Sequence, residues 1–135
     1  MRILLNLAVA ATLLAAAAMA QAGCMRCDPI LNVSDAPVTS ASGKALTDDQ
    51  VKSAIIRAGA ALGWQMKEAG AGKLTATLLI RTHTAVIEIP YSPSRYSITY
   101  KSSVNLDEAD GQIHKNYNGW IQNLNRGINA QLSAS

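Results

Sequence analysis

Two cysteines and two histidines are the residues of this chain whose chemistry is most distinctive. Cys24-Met25-Arg26-Cys27 has the C-x-x-C spacing of redox and zinc sites. A thioredoxin-type pair needs a strand before it and a helix opening on it, so that the helix N-terminus lowers the thiol pKa. Here an apolar N-terminal run precedes the pair and Asp28-Pro29 follows it. Zinc would need two further ligands, and the only histidines are His83 and His114. A nucleophile needs an adjacent base and an orienting group, and the chain carries no nucleophile elbow, phosphate loop or paired-histidine motif. Asp107, Glu108 and Asp110 lack the alternating oxygen ligands and closing glutamate of a calcium loop. The sequence therefore asks for no cofactor and no metal.

Two sets of polar residues remain as binding candidates. Thr75, Thr77, Glu88, Ser97, Thr99 and Lys101 fall on the polar side of three alternating segments, with Arg81 and His83 at one end. Glu88 is placed to pair with Lys101 or Arg81. Asn118, Gln122, Asn125 and Asn129 form a row of primary amides headed by His114, and such amides offer both donors and acceptors to glycans or peptides. Each set also has the ordinary composition of a solvated face. The sheet set is the stronger candidate, because side chains held by a ladder present a fixed pattern at little entropic cost.

The segments that position these residues are legible from periodicity. Leu74, Ala76, Leu78 and Ile80 alternate with Thr75, Thr77 and Arg81, with Leu79 the exception; Ala85, Ile87, Ile89 and Tyr91 repeat the pattern, and so do Tyr96, Ile98 and Tyr100. Arg81-Thr82-His83-Thr84 and Ser92-Pro93-Ser94 make the turns, and a weaker alternation over 64–69 supplies a first strand. Thr47, three residues before Gln50, heads a helix that runs to Leu62 with Gly63 as its stop; Val51, Ala54, Ile55, Ala58 and Leu62 form its stripe, and Ile56 lies off it. A longer helix over 112–132, capped by Asp110, buries Ile113, Tyr117, Trp120, Ile121, Leu124, Ile128 and Leu132, and Gly127 at the stripe's edge permits close approach to a strand. The expected fold is α+β in two layers: a helix, an antiparallel meander of about four strands, then a long helix, both helices on one face.

Residues 1–23 read as a signal peptide: Arg2, an apolar run from Leu4 to Ala20, and small residues at its end. Cleavage has two readings. Ala22-Gly23-Cys24 resembles a lipobox, in which Cys24 is acylated and becomes the new N-terminus, although Gln21 stands where an aliphatic residue is usual. Ala18-Met19-Ala20 and Ala20-Gln21-Ala22 are sites for ordinary cleavage, which would leave Cys24 and Cys27 free to oxidise. In the first reading Met25 after the acylated cysteine implies the outer membrane, held by acyl chains without a transmembrane span; in the second the protein is soluble in the periplasm. Residues 24–46 form a tether or linker, with a short strand at 30–33, and 47–135 a single domain.

Charge narrows the partners. The formal net charge of +3 falls to +2 without residues 1–23, because Arg2 is the only ionisable side chain there. The basic residues are scattered, so nucleic acid is excluded as a partner.

Gly23-Cys24, Pro29-Ile30-Leu31-Asn32-Val33, Ala76-Thr77-Leu78 with Arg81 and His83, Tyr96 to Tyr100, and Ile113 to Trp120 together resemble a group of small uncharacterised proteobacterial lipoproteins. The resemblance spans nearly the whole chain and implies lipidation at Cys24; it carries no activity. The expected function is non-catalytic binding of another envelope protein or a cell-wall component such as peptidoglycan, through Thr75, Thr77, Arg81, His83, Glu88, Thr99 and Lys101. The alternative is a small hydrolase-like periplasmic enzyme using His83 or His114.

Overall fold

Alternating apolar residues need one covered face, and the fold supplies it. The computed structural model describes residues 24–135, which order as β1 (Cys27–Pro29), β2 (Val33–Pro37), α1 (Asp48–Ala61), β3 (Gln65–Glu68), β4 (Lys73–Ile80), β5 (His83–Pro90), β6 (Arg95–Val104), β7 (Gln112–His114) and α2 (Lys115–Ser133). The main sheet is antiparallel with the order β2-β6-β5-β4-β3, and β1 pairs with β7 beside it. This is the expected α+β fold, with the meander β3 to β6 extended by a fifth strand.

One face of the sheet is closed by both helices. Leu74, Ala76 and Leu78 of β4, Ala85, Ile87 and Ile89 of β5, and Tyr96 and Ile98 of β6 are buried with Val51, Ala54, Ile55 and Ala58 of α1 and with Tyr117, Ile121, Leu124, Ile128 and Leu132 of α2. The capping box expected at Thr47 is formed: its hydroxyl accepts from the Gln50 N–H at 3.1 Å, and Gln50 Oε1 accepts from the Thr47 N–H at 2.9 Å. Ile56 is half-buried and packs on the core.

Several boundaries differ from expectation, each for a local reason. The segment expected as a tether carries β1 and β2; β2 runs along β6 at 33–37 rather than at 30–33, while Ile30 and Leu31 pack on the core. Residues 112–114 extend to pair with β1, so α2 starts at Lys115. His114, not Asp110, caps it, its Nδ1 accepting from the Asn116 N–H at 3.2 Å. Ile80 lies at the end of β4, beyond the reach of the helices, and is exposed; Leu62 closes α1 as its C-cap and is exposed as well. Gly127 approaches a helix instead of a strand: a Cβ there would lie 3.6 Å from the Ala58 Cβ.

Candidate functional site

Among the described residues no helix covers the other face of the sheet, and register assembles its side chains into rows. Lys67, Thr75, Glu88 and Thr99 stand opposite one another across four strands. Beside them run Gln65, Thr77, Val86 and Ser102, and nearer the β4–β5 hairpin Leu79, Thr84 and Val104. Lys101 shares the parity of Thr99 and stands on this face at a bulge. Val86 pairs with Ser102 and Ile87 with Tyr100, so Lys101 is the extra residue of β6. Its Nζ then lies 3.3 Å from Glu88 Oε1, with Lys73 Nζ on the same oxygen at 3.9 Å. Arg81 makes no such pair with Glu88.

Five of the seven expected sheet residues, Thr75, Thr77, Glu88, Thr99 and Lys101, are thus brought together. The other two are not. Arg81 stands at the hairpin tip with φ of +53°, a left-handed conformation that costs a side chain with a Cβ. His83 belongs to the helix-facing row of β5 and turns away from the polar face. Its Nδ1 meets Asn105 O at 2.6 Å, and its ring lies 6.3 Å from that of Trp120.

Sequence reasoning passed over Lys73, which joins Lys101 at the Glu88 carboxylate, and Lys67, which stands opposite Thr75; with Lys101 they give this part of the face a cationic excess. Their parity with Thr75 and Thr77 was the available signal. These charges are largely exposed, so the pairs contribute little to stability.

The amide row is mostly committed to the fold. Asn118 Oδ1 accepts from the Leu31 N–H, and Asn118 Nδ2 donates to Pro29 O, both at 2.9 Å, clamping the chain between β1 and β2. Asn125 and Asn129 flank the Tyr96 hydroxyl. Only Gln122 of the four is exposed without a side-chain partner among the described residues. His114 spends its Nδ1 on the helix cap.

At the N-terminal end a disulfide joins Cys24 to Cys27, and Asp107 Oδ2 lies 3.8 Å from the Cys24 sulfur. The expected signal peptide, residues 1–23, lies outside the described residues. A shallow hollow between the start of α1 and the β3–β4 turn holds Lys52, whose Nζ donates to Glu68 Oε1 at 2.6 Å; that bond holds the ammonium pKa above its ordinary value. Among the described residues no three His, Cys, Asp or Glu side chains are grouped to hold a metal, and no helix is long and apolar enough to cross a membrane.

No protein-family model, curated protein or solved structure matches the chain.

Proposed function

We propose that this chain is a small envelope lipoprotein, anchored through Cys24, that binds another envelope protein or a cell-wall component without catalysis through the uncovered face of its sheet. The observation that carries the reading is the cross-strand row of Lys67, Thr75, Glu88 and Thr99, flanked by Lys73 and Lys101. A hydroxyl- and ammonium-bearing surface fixed by the ladder suits a polar partner with carboxylates or many hydroxyls. The hydrolase-like alternative draws less support, since the side-chain hydrogen bonds of His83 and His114 go to backbone groups and, among the described residues, neither histidine is bonded to a Ser, Asp or Glu side chain.

The test is crosslinking in intact cells, followed by recovery of partner protein or of cell-wall material. A Thr77→Lys/Thr99→Lys variant perturbs the face, and a Gln122→Ala/Asn123→Ala variant perturbs only exposed residues of α2; circular dichroism checks that both fold. Loss of the partner in the sheet variant alone is expected. Loss in the helix variant alone, or in neither, would overturn the reading.

A further inference from the structure

Among the described residues the large exposed apolar side chains are Met25, Leu62, Leu79, Ile80 and Val104, and the last three share one hairpin end. Leu79 and Val104 are 59% and 61% exposed and stand either side of Thr84 on the uncovered face, and Ile80, 38% exposed, lies on the opposite face of the same hairpin. Trp120 is half-buried beside His83 at this end of the molecule, and Arg81 forms the tip. The tip is therefore apolar on both sides, which neither helix packing nor the polar row explains.

Cys24 also stands at this end of the domain. Asn105, next to Val104, accepts from the His83 Nδ1–H through its carbonyl and donates from Nδ2 to Thr82 Oγ1 at 2.7 Å, tying the 105–107 segment to the hairpin. Asp107 then lies against Cys24, and Met25 beside it is fully exposed. Whatever holds Cys24 at a bilayer brings the hairpin tip to the same surface.

We infer that the β4–β5 hairpin tip is a lipid-contacting element, with Leu79, Ile80 and Val104 entering the interfacial zone of the membrane and Trp120 and Arg81 at its level. Trp and Arg suit that zone, the ring by its amphipathic character and the guanidinium by reaching back to headgroups. Three apolar side chains make too small an anchor to hold the protein alone, so the contact orients a domain already tethered at Cys24. Electrostatics adds no net attraction: Asp107, Glu108 and Asp110 occupy this end along with Arg26, Arg81 and Lys115. The inference rests on the reading of Cys24 as the membrane anchor. It sets the orientation in which the polar row faces its partner.

A photoreactive amino acid at position 104, 79 or 67 of the full-length chain, produced in cells and irradiated in isolated membranes, tests it. Position 67 is the control, opposite Thr75 and therefore four residues, about 13 Å, along β4 from Leu79. Lipid adducts at 104 and 79, absent at 67 and unchanged by high salt, are expected. Protein that fractionates with membranes but forms no lipid adduct at 104, forms only protein adducts there, or labels equally at 67 overturns the inference while leaving the anchor standing. Protein that fractionates as soluble overturns the anchor and the inference together.

Discussion

The Tyr96 hydroxyl lies 3.0 Å from Asn129 Oδ1, joining the middle of the sheet to the far half of α2. Asn125 approaches the same oxygen from one turn earlier. A phenol has one proton to give, so one amide accepts it and the other is satisfied by turning its NH2 toward the phenol's lone pair. Tyr117, equally buried, has no partner for its hydroxyl among the described residues and packs edge-on to Tyr100. Two buried tyrosines thus stand in opposite situations. Tyr96→Phe removes the hydrogen bonds to both amides and should cost about 1–2 kcal/mol, whereas Tyr117→Phe removes an unsatisfied group and should be neutral or stabilising by about 1 kcal/mol. Urea denaturation of the two variants checks the signs; a loss on Tyr117→Phe matching that on Tyr96→Phe would show that the Tyr117 hydroxyl is satisfied.

Both phenols respond to pH in the same direction. Burial pushes the Tyr96 and Tyr117 pKa values above the ordinary tyrosine value. Above that ordinary value, about 10, the unfolded chain releases protons that the folded chain keeps, so the unfolded state binds fewer and stability falls as pH rises. Stability to urea should therefore be lost on the alkaline side, and the phenolate absorbance that disappears in the Tyr96→Phe and Tyr117→Phe variants should emerge together with unfolding. Its appearance while circular dichroism remains native would contradict the burial of these rings.

Much of this architecture is readable because period 2 and period 3.6 report burial directly. Ile98 and Leu124 sit where alternation and helical spacing place them, both fully buried. Alanine at either should cost about 2–5 kcal/mol, while Leu79→Ala on the uncovered face should change stability by less than about 0.5 kcal/mol. Equal costs at 79 and 98 would mean that the uncovered face is not free.

What was not legible depended on contacts distant in sequence. His83 shares the parity of Ala85 and Ile87, so its helix-facing row was legible, but parity cannot show that β5 and β6 slip by one residue at Lys101. The amide row illustrates the same limit. From spacing, Asn118, Asn125 and Asn129 form a stripe beside the core; only the tertiary positions of Leu31 and Tyr96 show that these amides are occupied. The polar face was recoverable because strand neighbours share a face whatever their partners, and its apolar end announced itself in Leu79, the residue that broke the alternation.

Asn118→Ala should act locally. It removes the acceptor for the Leu31 N–H and the donor to Pro29 O, at a cost of about 1–3 kcal/mol. Hydrogen exchange should accelerate at Leu31 and its neighbours in β1 and β2 while α1 keeps its protection. Uniform acceleration would show that this segment unfolds only with the whole domain.

The two cysteines separate anchoring from oxidation, because acylation and a disulfide compete for one sulfur. A thioether at Cys24 leaves Cys27 as a free thiol; the Cys24–Cys27 bond leaves neither sulfur available. Cys24→Ala removes both outcomes, whereas Cys27→Ala removes only the disulfide. Under the proposed anchor, wild type and Cys27→Ala should both fractionate with the outer membrane, and Cys24→Ala should be soluble. Mass spectrometry of the wild type should then find acyl chains on Cys24 and one alkylatable thiol at Cys27. All three proteins in the soluble fraction, with the wild type resisting alkylation until reduced, would establish ordinary cleavage and a periplasmic protein closed at its N-terminal end by the disulfide.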